Sequence, residues 1–491
     1  MIENPFNSSD YTEKSLQDIW SIVSQIAKED FQLDFYEPQF ELCTFEEMLQ
    51  IYTTSFPIMF NHWSFGKAYE DLYRQYKHNR AAIAYEVIFN TNPALCYLLE
   101  TNTSVMQGIV MAHAAIGHSS FFKNNEFLLE NTNAKTAISM FKNMRQYVSE
   151  CELKYGTARV SELLDVCMSL QMYAIDRADK LDITREQQLK KKQGREKELE
   201  KDFDLIAAEI SKEADTGEIG APQRLKEDNI LKFIAKHSPS LRQWERELVL
   251  KYCDIRQYFY PQYCTKLMNE GFASFWHYEI MNKLYDKNYL KDGDVLEFLC
   301  SHTGVTRQTD WDDPHGYRGI NPYSLGLAIF QEIKRICLDP TEEDKYYCPY
   351  LIGRDWVEEV KFAAYNFKDE SFILQYLTPK IVRDFKLFKF EDDTSADYWE
   401  VKATQEDKYF YEVRKQLAES YNLFKNLPIM YVEGADLRRN RTLYLVIEQV
   451  ADKQLDTIQG VKVAELLKKI WPYPVKFKYK LLDGNTIAET F

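Results

Sequence analysis

Apolar residues recur at helical spacing through most of the chain. In residues 14–30, KSLQDIWSIVSQIAKED, Ile19, Ile22, Val23 and Ile26 share one face of a 3.6-residue repeat, which predicts an amphipathic helix. Residues 67–88 and 104–116 read as helices in the same way, and 134–177 reads as two helices broken near Gly156. Aromatic-rich helical patterns resume at 241–260, 267–286, 323–337, 355–366 and 371–376. Asn321 stands as the N-cap of the third of these, with Pro322 at its first helical position.

Near residue 385 the period changes from helical to alternating. FKLFKFEDD, YWEVKAT, IMYVEGADL, TLYLVIEQV and VKFKYKLLDGNTIAETF are rich in β-branched and aromatic residues, and Asp483-Gly484 is a hairpin-turn signal. Helix-like segments at 409–424 and 462–471 interrupt them. The expected organisation is a mainly helical domain over 1–384 and a small α+β domain over 385–491, in the order ββαββαββ. The stretch 178–229 is dense in both signs of charge and poor in aromatics. It reads as a charged helical insert with a solvated face, or a flexible one ending at TGEIGAP.

Composition narrows the class. Gly (17) and Pro (15) are scarce for 491 residues, which favours long helices over turn-rich β architecture. A formal net charge of −15 argues against nucleic acid or an anionic membrane surface as the main partner. The nine cysteines are odd in number and show no CxxC spacing, so reduced thiols are expected. The N-terminus lacks an apolar signal segment and no run approaches the roughly 18 apolar residues of a membrane span, so a soluble cytoplasmic protein is expected. No P-loop, GxGxxG or GxSxG pattern occurs.

The remaining chemical signal lies in the histidines. In MAHAAIGHSSFFKNN, His113 and His118 are five apart. On an ideal α-helix they would point about 140° apart, too far to chelate one ion. Either a π-bulge brings them together, or the helix ends at Gly117 and His118 swings back. Taken alone, the commoner explanation is two partly buried, hydrogen-bonded histidines. In MNEGFASFWHYEI, Glu270 and His277 share a helix face but lie about 10.5 Å apart along the axis. Glu270 is therefore the ligand candidate, and His277 stands behind it, faces substrate as a catalytic side chain, or binds something else. Gly271 and Ala273 would admit a close neighbour helix. His113, His118 and Glu270 match the His₂Glu set of catalytic zinc sites, so zinc is the expected ion. A zinc peptidase carries its general base directly after the first histidine, and here that residue is Ala114. His62, Glu86, Asn124 and Asn269 are candidate second-shell or cleft-lining residues. His302 and His315 can line the same cleft, although a loop or capping role is the commoner one for such residues. His78 and His237 read as surface residues, and Asp176–Arg177 as a buried ion pair.

Several long stretches together resemble one family: NHWSFGKAYEDLY, YEVIFNTNPALCYLLETNT, MAHAAIGHSSFFKNN, YVSECELKYG, QYFYPQYCTKLMNEGFASFWHY, INPYSLGLAIFQEIKRICLDPTEED and FKDESFILQYLTPKIVRDFKLF. From about residue 15 to the C-terminus the chain resembles the bacterial SpoVR (stage V sporulation protein R) family, least so over 178–229. The resemblance implies a role in spore cortex formation, or in stationary-phase and starvation stress in non-sporulating bacteria. It also implies links to a serine protein kinase and a von Willebrand-like protein. HAAIGH and NEGFASFWH further look like the HE…GH and EGWA elements of zinc-dependent peptidases. That likeness maps His113, His118 and Glu270 onto ligand positions and implies a gluzincin-like architecture. Two expectations follow: a metal-dependent hydrolase of a peptide or cell-wall-related substrate lacking the HExxH glutamate, or a non-enzymatic regulatory or scaffold protein.

Overall fold

A computed structural model of the chain describes residues 4–7, 11–78, 80, 85–177, 227–309, 319–391, 400–402, 407–423, 428–437, 439–449, 457–481 and 486–490. Most of the charged insert, His315 and the Asp483-Gly484 turn fall outside the described residues. The fold is mainly helical, with a small C-terminal sheet region. It packs as two units, Met1–Leu164 with Asp254–Asn426, and Asp165–Cys253 with Leu427–Phe491. That division falls inside the stretch that the alternating pattern treats as one tail.

The first unit begins with α1 (Glu13–Glu29), capped by Thr12, whose hydroxyl accepts from the Ser15 N–H. Its stripe is buried at Ile19, Val23 and Ile26. β1 (Pro38–Cys43), α2 (Phe45–Thr54), α3 (Trp63–Lys77), β2 (Glu86–Ile88) and β3 (Ala94–Leu99) follow. The helix expected over 67–88 therefore stops at Lys77, and its last residues form a strand. β3 lies between β1, which runs parallel to it, and β2, which runs antiparallel. This sheet escapes the periodicity reading because β3, ALCYLL, is apolar on both faces and has no alternation to betray it.

α4 (Ser104–Val110) leads into a π-helix (Met111–His118), then α5 (Ser119–Asn124), α6 (Glu126–Asn131), α7 (Ala134–Tyr155) and α8 (Thr157–Ser169). The expected break near Gly156 is present, and Gly156 adopts φ +90°, a region that disfavours a side chain. Further along come α9 (Ile230–His237), α10 (Gln243–Cys264), α11 (Lys266–Asp286), α12 (Asp292–Thr306), α13 (Pro322–Leu338), α14 (Glu342–Tyr347), α15 (Trp356–Asn366), α16 (Asp369–Tyr376) and α17 (Pro379–Asp384). Asn321 caps α13 by accepting from the Tyr323 N–H, with Pro322 at the first position, as the sequence implies.

α11 is the axis of the first unit. Leu267, Phe272, Phe275, Trp276, Ile280 and Leu284 bury most of its faces, each contributing about 1.5–3 kcal/mol of apolar burial. It packs against α13 and against the π-helix. Small residues set these approaches: a Cβ on Gly271 would lie 2.4 Å from the Gly326 carbonyl carbon. The N-terminus of α11 is held by Asp369, whose carboxylate oxygens accept the Leu267 and Met268 N–H groups, each at 2.9 Å. Burial pushes the Asp369 carboxyl up to about 7, against the opposing pull of those N–H groups.

β4 (Lys389–Glu391) and β5 (Glu400–Lys402) pair antiparallel ahead of α18 (Asp407–Ser420). In the second unit, β6 (Ile429–Ala435), β7 (Leu443–Glu448), β8 (Val475–Lys480) and β9 (Thr486–Thr490) form a sheet in that order. β7 and β8 are parallel, so they need a crossover, which α19 (Thr457–Lys468) supplies. Asp176 pairs with Lys232 at 2.6 Å and accepts from the Asn229 amide. The expectation of a buried Asp176–Arg177 pair fails on burial, since the Asp176 side chain is 49% exposed, and the Arg177 guanidinium donates to the Met172 carbonyl. His78 and His237 are exposed, as expected of surface residues. All nine cysteines are free thiols. Among the described residues no helix is long and apolar enough to cross a membrane.

Asp369 generates a pH-dependent prediction. An unfolded aspartate titrates near ~3.9, whereas the folded carboxyl holds its proton up to about 7. Between those values the native state binds the extra proton, so stability should fall as pH rises from about 4 to 7. Urea denaturation across that range should show the fall in the wild type and a flatter profile in Asp369→Asn.

Candidate metal centre

The π-helix answers the spacing problem of the histidines. All eight residues from Met111 to His118 are buried, and the wider i→i+5 winding brings residues five apart onto one side. The His113 and His118 ring centroids are 4.6 Å apart, with the planes at 85°. The helix does not end at Gly117, because it continues directly into α5. Gly117 serves the packing instead: a Cβ there would lie 2.6 Å from the Ala273 Cα on α11. The small residues Ala114, Ala115 and Gly117 let the wide turn rest on its neighbour.

Glu270 projects from α11 into the space this turn opens. Its Oε2 is 3.4 Å from His118 Nε2 and 3.8 Å from His113 Nε2. Among the described residues, these three bring ligand atoms within 4.8 Å of one another. Charge-assisted hydrogen bonds are usually ~2.7–2.9 Å, so both separations are long for such bonds. They suit a shared ion better, because ligands ~2.1 Å from a tetrahedral centre stand ~3.4 Å apart. Glu270 Oε2 is buried and has no hydrogen-bond partner. A buried, unsatisfied carboxylate oxygen is costly, and a cation would relieve it. The donor set therefore fits a divalent ion.

Each histidine is held from behind. His118 Nδ1 is 2.9 Å from Asn269 Oδ1, and a carbonyl oxygen only accepts, so Nδ1 carries the proton and Nε2 keeps its lone pair toward Glu270. His113 Nδ1 lies 3.0 Å from His277 Nδ1, and His277 Nε2 lies 2.7 Å from His302 Nδ1. Both nitrogens of His277 are thus engaged, which suits a place behind a ligand better than contact with a substrate. Tyr323 lies over His113, with ring centroids 6.4 Å apart, and burial together with the nearby Glu270 charge pushes its hydroxyl pKa up.

Burial opposes charge on Glu270, yet His113 and His118 outweigh it and hold the carboxyl well below the usual carboxylate range. Burial likewise lowers His118, but Glu270 more than compensates and its pKa rises. His113 falls, because burial and the His118 charge prevail over the pull of Glu270. Burial drives His277 far down and His302 down to about 4, each aided by His113. Glu86 on β2 is pushed up to about 7 by burial, with His118 drawing it down and Glu270 pushing it up.

Of the residues singled out from sequence, His113, His118, Glu270, Asn269 and His277 come together, and Glu86 sits within electrostatic reach. Asn124 instead donates to the backbone carbonyls of Asp34 and Ser120. His62 caps α3, bonding to Ser64, and lines a separate open cavity of about 860 Å³ with Trp63, Tyr69 and Glu152. The sequence left His302 between lining the cleft and a loop or capping role, and it is a buried residue of α12 against His277. The missed signal was its i, i+4 spacing from Phe298, which is the other buried residue of that helix. Tyr323 was missed entirely. The N-cap before it was legible, but its reach across to Glu270 was not.

The molecule is thus a mainly helical protein with a buried histidine–carboxylate group on its central helices. The SpoVR like protein family model matches residues 10–426. The chain is 39% identical over 482 residues to "Uncharacterized protein YcgB" of Escherichia coli (strain K12), an alignment covering 97% of this chain and 94% of that one. The chain belongs to the SpoVR family. No solved structure matches it.

Gly117 carries the prediction here. Gly117→Ala would force the π-helix away from α11, since a backbone atom blocks the new methyl. A loss of about 1–3 kcal/mol in denaturant unfolding is expected. Gly293→Ala on α12, where a Cβ meets nothing within 4 Å, should be neutral or slightly stabilising.

Proposed function

We propose that this SpoVR-family chain is a metal-binding protein in which His113, His118 and Glu270 hold one divalent ion, and that the ion is zinc. The observation that carries this reading is the convergence of two Nε2 atoms on a buried carboxylate oxygen that has no other partner. Two imidazoles and a carboxylate are a borderline-soft donor set that suits zinc. Three protein ligands leave a fourth position open, where a bound ion supplies Lewis acidity. Asn269 and His277 orient the ligands, and Glu86 and Tyr323 flank them.

The site is a degenerate relative of a zinc-peptidase centre. Ala114, fully buried on the π-helix, stands where such an enzyme has its base. Hydrolysis of a peptide or cell-wall-related substrate therefore needs a base from elsewhere in the site, and the gluzincin-like reading rests on the HAAIGH and NEGFASFWH elements. The same alanine favours a second reading, in which the ion is structural. The protein then acts as a regulatory or scaffold component beside a serine protein kinase and a von Willebrand-like partner. In either reading we place it in the cytoplasm, in the sporulation or stationary-phase starvation programme.

Elemental analysis of the full-length protein, reconstituted with zinc and dialysed, should find about one ion per chain. His118→Ala and Glu270→Ala should lose it, with affinity falling by more than about 100-fold while helical circular dichroism is kept. A wild-type protein that takes up no divalent metal overturns the proposal.

A further inference from the structure

Asn269 can only accept at Oδ1, so it settles the His118 tautomer by itself. His113 has no such partner. It faces His277, and an imidazole can either donate or accept at Nδ1. Two hydrogen-bond directions through the row His113–His277–His302 are therefore conceivable. In one, every ring passes its N–H outward, leaving the His113 Nε2 lone pair toward Glu270. In the other, every N–H points inward, placing a proton on His113 Nε2 where an ion would bind.

The surroundings discriminate between them. His113 Nε2 stands 3.8 Å from Glu270 Oε2, beyond hydrogen-bond reach, so an inward proton there gains no good acceptor. His113 Nδ1, by contrast, has an acceptor in reach in His277 Nδ1, at 3.0 Å. For His277 Nδ1 to accept, its proton must sit on Nε2. That proton then requires an acceptor, which His302 Nδ1 provides at 2.7 Å. The three histidines are only 7%, 4% and 7% exposed, so water is a poor substitute.

We propose that His277 and His302 are positioning residues that fix His113 as its Nδ1–H tautomer and so present its Nε2 to the ion. The inference rests on the metal-binding reading of His113, His118 and Glu270. An imidazole pair does here what a carboxylate or a carbonyl usually does behind a metal-ligating histidine. Because His277 is amphoteric, it can accept from His113 at Nδ1 only while His302 Nδ1 takes the proton on its Nε2. His302, on a different helix from either ligand-bearing element, thereby controls a ligand it does not touch.

The test uses the full chain labelled with ¹⁵N-histidine. Long-range ¹H–¹⁵N correlation reports the tautomer of each ring, and a competitive zinc titration reports affinity. The metal-free wild type should show His113 and His118 as Nδ1–H and His277 as Nε2–H. His277→Ala should weaken zinc binding about 10–100-fold, and His302→Ala about tenfold, the latter with a mixed His277 tautomer. His302→Gln, whose carbonyl can accept from His277, should restore both the single tautomer and near-wild-type affinity. An unchanged His113 tautomer together with wild-type affinity in His277→Ala and His302→Ala overturns the inference. A wild type that binds no zinc overturns the metal reading separately. The tautomers of the metal-free protein then still decide the orienting role, which falls if His113 carries its proton on Nε2.

Discussion

A carboxylate on a helix buried on most of its faces must be compensated, and the first unit is arranged around that requirement at Glu270. α11 packs with aromatic and aliphatic side chains on most faces, and the Glu270 side chain keeps only 16% of its surface exposed, so its charge is poorly hydrated. Its compensation comes from the π-helix, which places two imidazoles opposite it, while Tyr323 at the start of α13 stacks over one of them. For those groups to arrive, three stretches of backbone must come unusually close. Gly117 on Ala273 and Gly271 on Gly326 are the contacts that permit it. Asp369 adds the remaining constraint by holding the first turn of α11, one turn ahead of the carboxylate.

The site departs from a standard zinc-peptidase helix in a connected way. Winding i→i+5 brings the second histidine to the same side at the fifth position instead of the fourth, and small residues occupy the intervening turn. Ala114 belongs to that small set. A glutamate there would have to be buried against the packed interior, where Ala114 has no exposure at all. The absence of the usual base and the presence of the π-helix are thus two aspects of one packing solution. The orienting partners differ as well: an asparagine carbonyl serves one histidine and a second histidine serves the other.

Long amphipathic helices were legible along the chain. The Ile19–Val23–Ile26 stripe, the break at Gly156 and the Asn321-Pro322 start are local signals with local causes. The strands after residue 385 were legible because they alternate. The sheet of β1, β2 and β3 was not, since a short strand apolar on both faces carries no period. The Lys232 partner of Asp176 was not legible, because it comes from α9, far along the chain, and no local pattern encodes that contact.

The sequence by itself determined the family and the ligand candidates: His113, His118 and Glu270 are recognisable from residue type and motif context, and the long helices from their periodicity. It left open whether the two histidines converge, because five-residue spacing on an α-helix and on a π-helix gives opposite answers. Only the tertiary structure decided this. A π-helix is poorer than an α-helix taken alone, and its stability depends on what packs against it, here α11 meeting Gly117 at van der Waals limits. The places of His302 and Tyr323 were likewise tertiary matters. Each reaches the site from a separate helix, through contacts spanning tens of residues of chain, and no local pattern encodes a contact of that kind.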